Sequence, residues 1–196
     1  MGTLAQIGLL IIGSLGSLYL AIILLRFMLQ LARADFYNPV SQFIVKATNP
    51  LLIPLRKVIP GLFGIDIASI VLALAFHFVV ILILGLVVGF GIVPIGNAII
   101  WSFLGTISMV LYLYFFGMIV MIIASWVAPM SYNPFLMLIR QIVDPITAPF
   151  RKIIPAMGGI DITPIFAFLA IQVCRIIVND LATSARLIPS IVLGFQ

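Results

Sequence analysis

Charged residues are scarce in this sequence, at 8% of 196 residues, whereas hydrophobic residues make up 64%. Soluble domains carry about 25% charged residues, so this composition cannot cover the surface of a soluble domain. The mean hydropathy of +1.37 agrees with that conclusion. The chain must therefore use lipid as solvent for much of its surface.

Cysteine and histidine occur once each, as Cys174 and His77. A single cysteine excludes an intramolecular disulfide, and one cysteine with one histidine cannot build a structural zinc site. The sequence also contains no nucleophile–base–acid set and no phosphate-binding loop, so we expect neither an enzyme nor a bound cofactor or metal. Residues 1–25 carry no charge and lack a signal-peptide pattern, so we interpret them as part of a retained span.

Four apolar stretches are each long enough to cross a bilayer core, which takes roughly 20 helical residues. They cover approximately residues 4–31, 67–90, 99–127 and 164–187. Continuous apolar runs without polar alternation exclude a barrel, and backbone groups in hydrocarbon must pair with one another. The sequence therefore predicts an all-α membrane protein with four transmembrane helices.

An internal repeat without gaps appears when the sequence is shifted by 95 residues (132 less 37). The matched segments are Tyr37-Asn38-Pro39 with Tyr132-Asn133-Pro134, Arg56-Lys57-Val58-Ile59-Pro60 with Arg151-Lys152-Ile153-Ile154-Pro155, and Gly64-Ile65-Asp66-Ile67 with Gly159-Ile160-Asp161-Ile162. We predict two repeats, residues 1–95 and 96–196, each a helix pair joined by a loop. Two crossings per copy make the repeat parallel, with its pseudo-two-fold axis along the membrane normal.

The loops carry signals for short helices. Asparagine or aspartate precedes proline twice in each loop, which matches an N-cap followed by proline at the first helical position. These pairs are Asn38-Pro39, Asn49-Pro50, Asn133-Pro134 and Asp144-Pro145. We therefore expect two short interfacial helices end to end in each loop, with Pro54 and Pro149 bending the second one. The aspartates Asp66 and Asp161 are expected to cap the helices that follow.

Eight of the ten basic residues lie in or beside the two loops. The positive-inside rule therefore predicts that both loops are cytoplasmic and both termini lie outside. The repeated basic pairs are Arg56, Lys57, Arg151 and Lys152. They suit contact with anionic lipid headgroups, which we favour because juxtamembrane basic pairs are common. The alternative is a docking patch for an acidic partner or nucleic acid, and we expect no nucleic acid.

Three polar residues inside the spans are candidate functional groups. His77 and Gln172 are mates in the repeat, so a parallel arrangement allows them to face each other near mid-bilayer. An interhelical hydrogen bond is the favoured role, and a polar site on a solute or proton path is the alternative. Arg175 shares a helical face with Gln172 and Asn179. Its charge must find Asp180, a headgroup or water, or else snorkel outward. Trp101 and Trp126 are expected in the interfacial aromatic belts.

The repeated pattern from Asn38 to Ile67, and again from Asn133 to Ile162, closely resembles the YGGT family of bacterial and plastid membrane proteins. Arg26 resembles the family's arginine before the loop, whereas the second copy has Met121 there. The resemblance implies a small inner-membrane or thylakoid protein without assigned catalysis. Members are linked to osmotic tolerance, to cell division and nucleoid organisation, and in plastids to haem attachment during cytochrome assembly.

Two functional hypotheses follow. The first is a non-enzymatic scaffold or assembly factor of the bacterial inner membrane, connected with membrane-complex biogenesis, cell division or osmotic stress tolerance. It would act through a protein partner or as a homo-oligomer. The alternative is a component of an ion or osmolyte transport system, for which the matched pair His77 and Gln172 is the best support.

Overall fold

A computed structural model of the chain describes residues 2–61, 64–127, 131–153 and 163–195. These residues form α1 (Thr3–Leu31), α2 (Pro39–Val58), α3 (Ile67–Val87), α4 (Ile95–Val127), α5 (Pro134–Ile153), α6 (Thr163–Ser184) and a 3₁₀ turn (Pro189–Ile191). Four of the helices, α1, α3, α4 and α6, are long and apolar enough to cross a membrane. The predicted all-α architecture with four spans is confirmed.

The ends of the spans differ slightly from the prediction, because local backbone chemistry sets them. Helix α3 ends at Val87 because Gly89 adopts a φ of +76° and the N–H of Phe90 bonds back to the carbonyl of Gly85. Helix α4 begins earlier than predicted, at Ile95, and the carbonyl of Pro94 accepts its first hydrogen bond, from Ala98 N–H. The helix does not extend further back because proline disfavours a helical conformation in the residue before it. Helix α6 ends at Ser184, where Leu187 N–H bonds back to Ala182.

The helices of each copy pack in the same way. Helix α1 packs against α2 and α3, and α4 packs correspondingly against α5 and α6. Between the copies α1 contacts α4, and α2 contacts α5, near the pseudo-two-fold axis. The symmetry is incomplete because α3 packs on α4, whereas α6 makes no matching contact with α1 among the described residues.

Each loop contains one continuous 20-residue helix, so the expectation of two short helices is wrong. In α2 the two internal prolines, Pro50 and Pro54, lie one turn apart on the exposed side. The carbonyls that lose their helical hydrogen bonds therefore face the side where water or headgroups can reach them. On the opposite side Ile44, Thr48 and Leu52 are buried, and this packing stabilises the helix across the prolines.

Helix α2 lies along α1. The hydroxyl of Tyr19 donates to the carbonyl of Ala47 over 3.2 Å, and Arg56 donates to the side chain of Gln30 over 3.3 Å. The two α1 residues are 11 positions apart (30 less 19), or about 16 Å along the helix axis. The loop helix is therefore attached to the bundle at two levels.

Residues 185–195, here called the C-terminal strap, fold back from the end of α6 into the bundle. Their Ile191, Val192 and Leu193 are fully buried in the core shared by α1, α3 and α4. Their polar backbone groups are paired with side chains: Trp101 donates to the Ala185 carbonyl over 3.0 Å, and Ser108 to that of Gly194 over 2.7 Å. The strap thereby closes one side of the first copy.

Trp101 is 2% exposed because it is buried beside the C-terminal strap and donates a hydrogen bond to it. The prediction that it lies in an interfacial belt is therefore wrong. Trp126, at the other end of α4, is 85% exposed, as a belt position requires. The indole N–H of Trp101 needs a partner when buried, and a backbone carbonyl of the strap supplies one.

The C-terminal strap passes close to α4 at Gly105. A Cβ at this position would lie 2.3 Å from Cε1 of His77, 2.6 Å from a methyl group of Val192 and 2.7 Å from the carbonyl oxygen of Leu193. These distances leave no space for a methyl group. Only glycine allows the strap to lie this close to α4.

We expect Gly105→Ala to destabilise the protein by about 1 to 3 kcal/mol, because a methyl group overpacks the core and displaces the strap. Gly96→Ala is the matched control, since a Cβ there meets nothing within 4 Å. Thermal unfolding in detergent measures both variants. Equal melting temperatures for the two variants would show that the strap is not packed on α4.

Candidate functional site

Arg56, one of the repeated basic residues, pairs with other side chains of this protein. Its Nη2 lies 2.5 Å from Oδ2 of Asp66 and 3.3 Å from Oε1 of Gln30. The hydroxyl of Ser69 also donates to Asp66, whose side chain is 4% exposed. Burial alone would raise the pKa of Asp66, but the hydrogen bonds from Arg56 and Ser69 hold that pKa below its ordinary value. Asp66 thus occupies the N-cap position of α3, but its side chain makes no capping hydrogen bond and is instead the partner of Arg56 and Ser69, so the expectation that it caps the helix is wrong.

Arg26, near the end of α1, lies beside this ion pair and is 8% exposed. Its guanidinium stands over the ring of Phe36, 5.0 Å from the centroid. Together with Gln30, Arg33 and the backbone after Gly64, it lines a cleft of about 680 Å³. Composition and spacing did not single out Arg26. The available signal was an arginine within an otherwise uncharged span.

The other repeated cations lie apart from this cleft. Lys57 and Lys152 are exposed at the ends of α2 and α5. Arg151 lies 2.6 Å from Asp144 and 3.1 Å from the hydroxyl of Thr147, in an ion pair whose side chains are about half exposed. Asp161, the repeat mate of Asp66, lies outside the described residues. Contact of these cations with headgroups therefore stays a prediction.

His77 is completely buried and does not face Gln172. Its Nδ1 lies 3.1 Å from the hydroxyl of Thr106, and its Nε2 accepts a 3.0 Å hydrogen bond from the backbone N–H of Leu193. With Nε2 accepting, the neutral ring carries its proton on Nδ1 and donates it to Thr106. His77 therefore joins α3, α4 and the strap, and both of its ring nitrogens are occupied.

Gln172 and Arg175 lie on the other copy, on a helix that makes no contact with α3 among the described elements. Arg175 Nη1 donates to Oε1 of Gln172 over 3.2 Å. The guanidinium also lies 4.3 Å from the ring centroid of Tyr112 and 5.3 Å from that of Phe115, both on α4. The predicted shared face of Gln172 and Arg175 is thus present, and aromatic faces take the place expected for Asp180.

The position of Arg175 in the bilayer is unusual for a charge. It follows the start of α6 by 12 residues (175 less 163), which is about 18 Å along the helix axis. Its side chain is partly exposed at the outer surface of the bundle, and Asn179 and Asp180 lie exposed further along the helix. We call Gln172, Arg175 and Asn179, which share one face of the helix, the α6 polar stripe. In hydrocarbon such groups seek a protein partner or water.

Catalytic chemistry has no support from the described residues. In the described part of the chain, no three His, Cys, Asp or Glu side chains come together in a group able to hold a metal ion. Cys174 is exposed on α6, and His77 is enclosed by the strap.

We expect Asp66→Asn to cost about 1 to 3 kcal/mol of stability at pH 7, since it removes a charged partner from Arg56. Because the pKa of Asp66 is lowered in the folded protein, the ion pair stabilises the fold above about pH 4 and is lost as the pH falls through that lowered pKa. The variant should therefore lose this part of the acid sensitivity, measured as melting temperature against pH.

Asp144→Asn is the control for that experiment, because its ion pair with Arg151 is half exposed and should contribute under about 1 kcal/mol. If the two variants lose the same stability at pH 7, the Arg56–Asp66 pair has no special structural role.

Comparison with known proteins supports the repeat directly. A family model described as CCB3/YggT matches residues 5–87 and again residues 100–182. The second match begins 95 residues after the first (100 less 5), which is the shift of the internal repeat. Two tandem copies of the family unit are therefore present.

Several relatives match almost the whole chain. An uncharacterized protein of Pseudomonas aeruginosa is 51% identical over 174 residues, which covers 88% of each chain. The uncharacterized protein YggT of Escherichia coli is 40% identical over 177 residues, covering 89% of this chain and 91% of that one. An uncharacterized protein of Haemophilus influenzae is 32% identical over 158 residues, or 79% of this chain and 82% of its own. No solved structure matches. The chain belongs to the CCB3/YggT family.

Proposed function

We propose that the chain is a non-enzymatic scaffold or assembly factor of the bacterial inner membrane that binds another membrane protein through the α6 polar stripe. The observation that carries the proposal is Arg175, a partly exposed charge about 18 Å into α6 (175 less 163 residues, at about 1.5 Å each). A lipid-facing charge at this depth is costly, and a helix that supplies an acidic or amide side chain would remove much of that cost.

The positive charge of the stripe indicates that its binding partner is a different protein and not a second copy of this chain. A symmetric pair in a membrane has its two-fold axis along the membrane normal, so each residue meets its mate at the same depth. Arg175 of one copy would then lie at the level of Arg175 of the other, and the two charges would repel. Asp180 does not relieve this repulsion, because it lies five residues further along and on another side of the helix.

The transport alternative has no comparable support. His77, its main candidate residue, has both ring nitrogens occupied by Thr106 and by the strap. Gln172 lies on a different side of the bundle, where it holds Arg175. The proposed connection with membrane-complex biogenesis, cell division or osmotic tolerance rests on the family resemblance.

Orientation is part of the proposal: the end that carries α2 and α5 faces the cytoplasm. The support is the concentration of eight of the ten basic residues in and beside the loops. In a Cys174→Ser background, a cysteine introduced at Gly2 should react with a membrane-impermeant maleimide on intact spheroplasts, whereas one introduced at Lys57 should react only after lysis. The reverse pattern would contradict the proposed orientation.

Photo-crosslinking in the native membrane tests the partner interface. A benzoylphenylalanine at Asn179, next to the stripe's arginine, should give a discrete adduct with another protein. The same probe at Leu18, which is 61% exposed on α1, should give none. Arg175→Leu should abolish the Asn179 adduct and Arg175→Lys should preserve part of it, because the lysine keeps the charge.

Two results would contradict the proposal. One is an Asn179 adduct that persists unchanged in Arg175→Leu, which would show that the charge does not recruit the partner. The other is an adduct with twice the mass of this chain, which would identify a homo-oligomer.

A further inference from the structure

Arg26 is a buried cation whose hydrogen-bonding groups are not all used. Its side chain is 8% exposed, and its Nε and Nη1 have no hydrogen-bond partner among the described residues. The face of Phe36 offers some compensation for the charge but accepts no conventional hydrogen bond. A buried guanidinium left in this state is unfavourable unless an anion completes it.

Within the described structure, no carboxylate pairs with Arg26. Asp66, the carboxylate beside it, already accepts hydrogen bonds from Arg56 and from Ser69. The acidic residues of the chain are five aspartates. Asp144 is paired with Arg151, and Asp35 accepts a hydrogen bond from the backbone of Tyr37. Asp180 lies on α6, which makes no contact with α1 among the described elements, and Asp161 lies outside the described residues.

The cleft beside Arg26 has the size and charge for a small anion. Its volume of about 680 Å³ lies within the range of about 300–1,000 Å³ of small-molecule sites. Two arginines, Arg26 and Arg33, are among its described lining residues and no carboxylate is, while the neighbouring Arg56 is paired with Asp66. Gln30, which lines the cleft, accepts from Arg56 through Oε1, and its amide group also carries N–H donors.

The depth of the site matches the headgroup region of a bilayer. Arg26 precedes the end of α1 by five residues (31 less 26), or about 7.5 Å along the axis. It therefore lies close to the basic end of the bundle, beside the loop helix α2, and within reach of the lipid phosphate level. Arg33, just beyond the helix, is exposed at the rim of the cleft.

We propose that this cleft is a binding site for a phosphate group, with Arg26 as its buried ligand and Arg33 and Gln30 as further donors. The planar guanidinium of arginine suits two parallel hydrogen bonds to a phosphate. The phosphate is supplied by an anionic phospholipid headgroup or by a free phosphate or phosphomonoester in the cytoplasm. Both sources share the chemistry that the cleft recognises.

The second copy provides an internal comparison. Met121 stands where the first copy has Arg26, and it lines a smaller cleft of about 360 Å³ with Arg140, Asp144 and Arg151. There the arginine at the end of the loop helix is paired with Asp144, and no arginine takes the place of Arg26. The phosphate site is thus a property of the first copy alone.

The test measures ligand-induced stabilisation of the delipidated full-length protein in a neutral detergent. The probes are dioctanoyl phosphatidylglycerol, inorganic phosphate and dioctanoylglycerol, the last of which has acyl chains but no phosphate. A ligand that binds only the folded state raises the melting temperature in proportion to its affinity. Arg26→Met, which copies the second repeat, is compared with Arg140→Met, which removes one charge from the other cleft.

We expect the phosphate-bearing probe to raise the melting temperature of the wild type and of Arg140→Met, with dioctanoylglycerol inactive. Arg26→Met should bind at least tenfold more weakly, although it folds, because it removes a buried unpaired charge. Arg33→Gln should weaken binding severalfold and serves as a second variant with an exposed substitution. An Arg26-dependent response to the lipid alone identifies the headgroup as the source, and one to inorganic phosphate as well identifies the free anion.

Equal responses of the wild type and Arg26→Met to every probe would overturn the proposal. So would a wild type that responds to dioctanoylglycerol as strongly as to the phosphate-bearing lipid, since acyl chains alone would then explain the binding.

Discussion

Polar groups inside a hydrocarbon layer must find partners within the protein, and this constraint determines how the two copies of the repeat differ. His77 of the first copy and Ser108 of the second receive the backbone of the C-terminal strap, which otherwise could not lie between the spans. The glycine at position 105 leaves the space that the strap needs. Non-helical backbone thus enters the bundle only where side chains satisfy it.

The two copies share the same arrangement of helices but differ in the polar side chains that the helices carry. Arg26 and His77 in the first copy correspond to Met121 and Gln172 in the second. The first copy is closed by the strap and contains a buried guanidinium beside an ion pair. The second copy leaves Arg175 at the surface, held by one glutamine and two aromatic rings. The two proposed contacts, one with an anion and one with a protein, follow from this difference: the first copy buries a cation with unused donors, and the second leaves a cation partly exposed.

The spans, the repeat and the positions of the cations could be predicted because they depend on composition and spacing alone. The C-terminal strap could not be predicted from the sequence. Its residues 187–195 show no periodicity, and any backbone N–H could serve as the hydrogen-bond donor to His77. The ion pair between Arg56 and Asp66 joins residues on either side of a turn, so it depends on tertiary packing. The continuous loop helices were missed because propensity penalises Pro50 and Pro54 strongly, whereas burial of the opposite face offsets the penalty.

Native mass spectrometry of the protein, extracted gently from its own membrane, tests most directly whether the two cations mark binding sites. We expect the wild type to carry a stoichiometric second protein and a phosphate-bearing ligand. Arg175→Leu should lose the second protein, and Arg26→Met should lose the ligand. A bare chain or homo-oligomer, with the same ligands in the wild type and both variants, would contradict it.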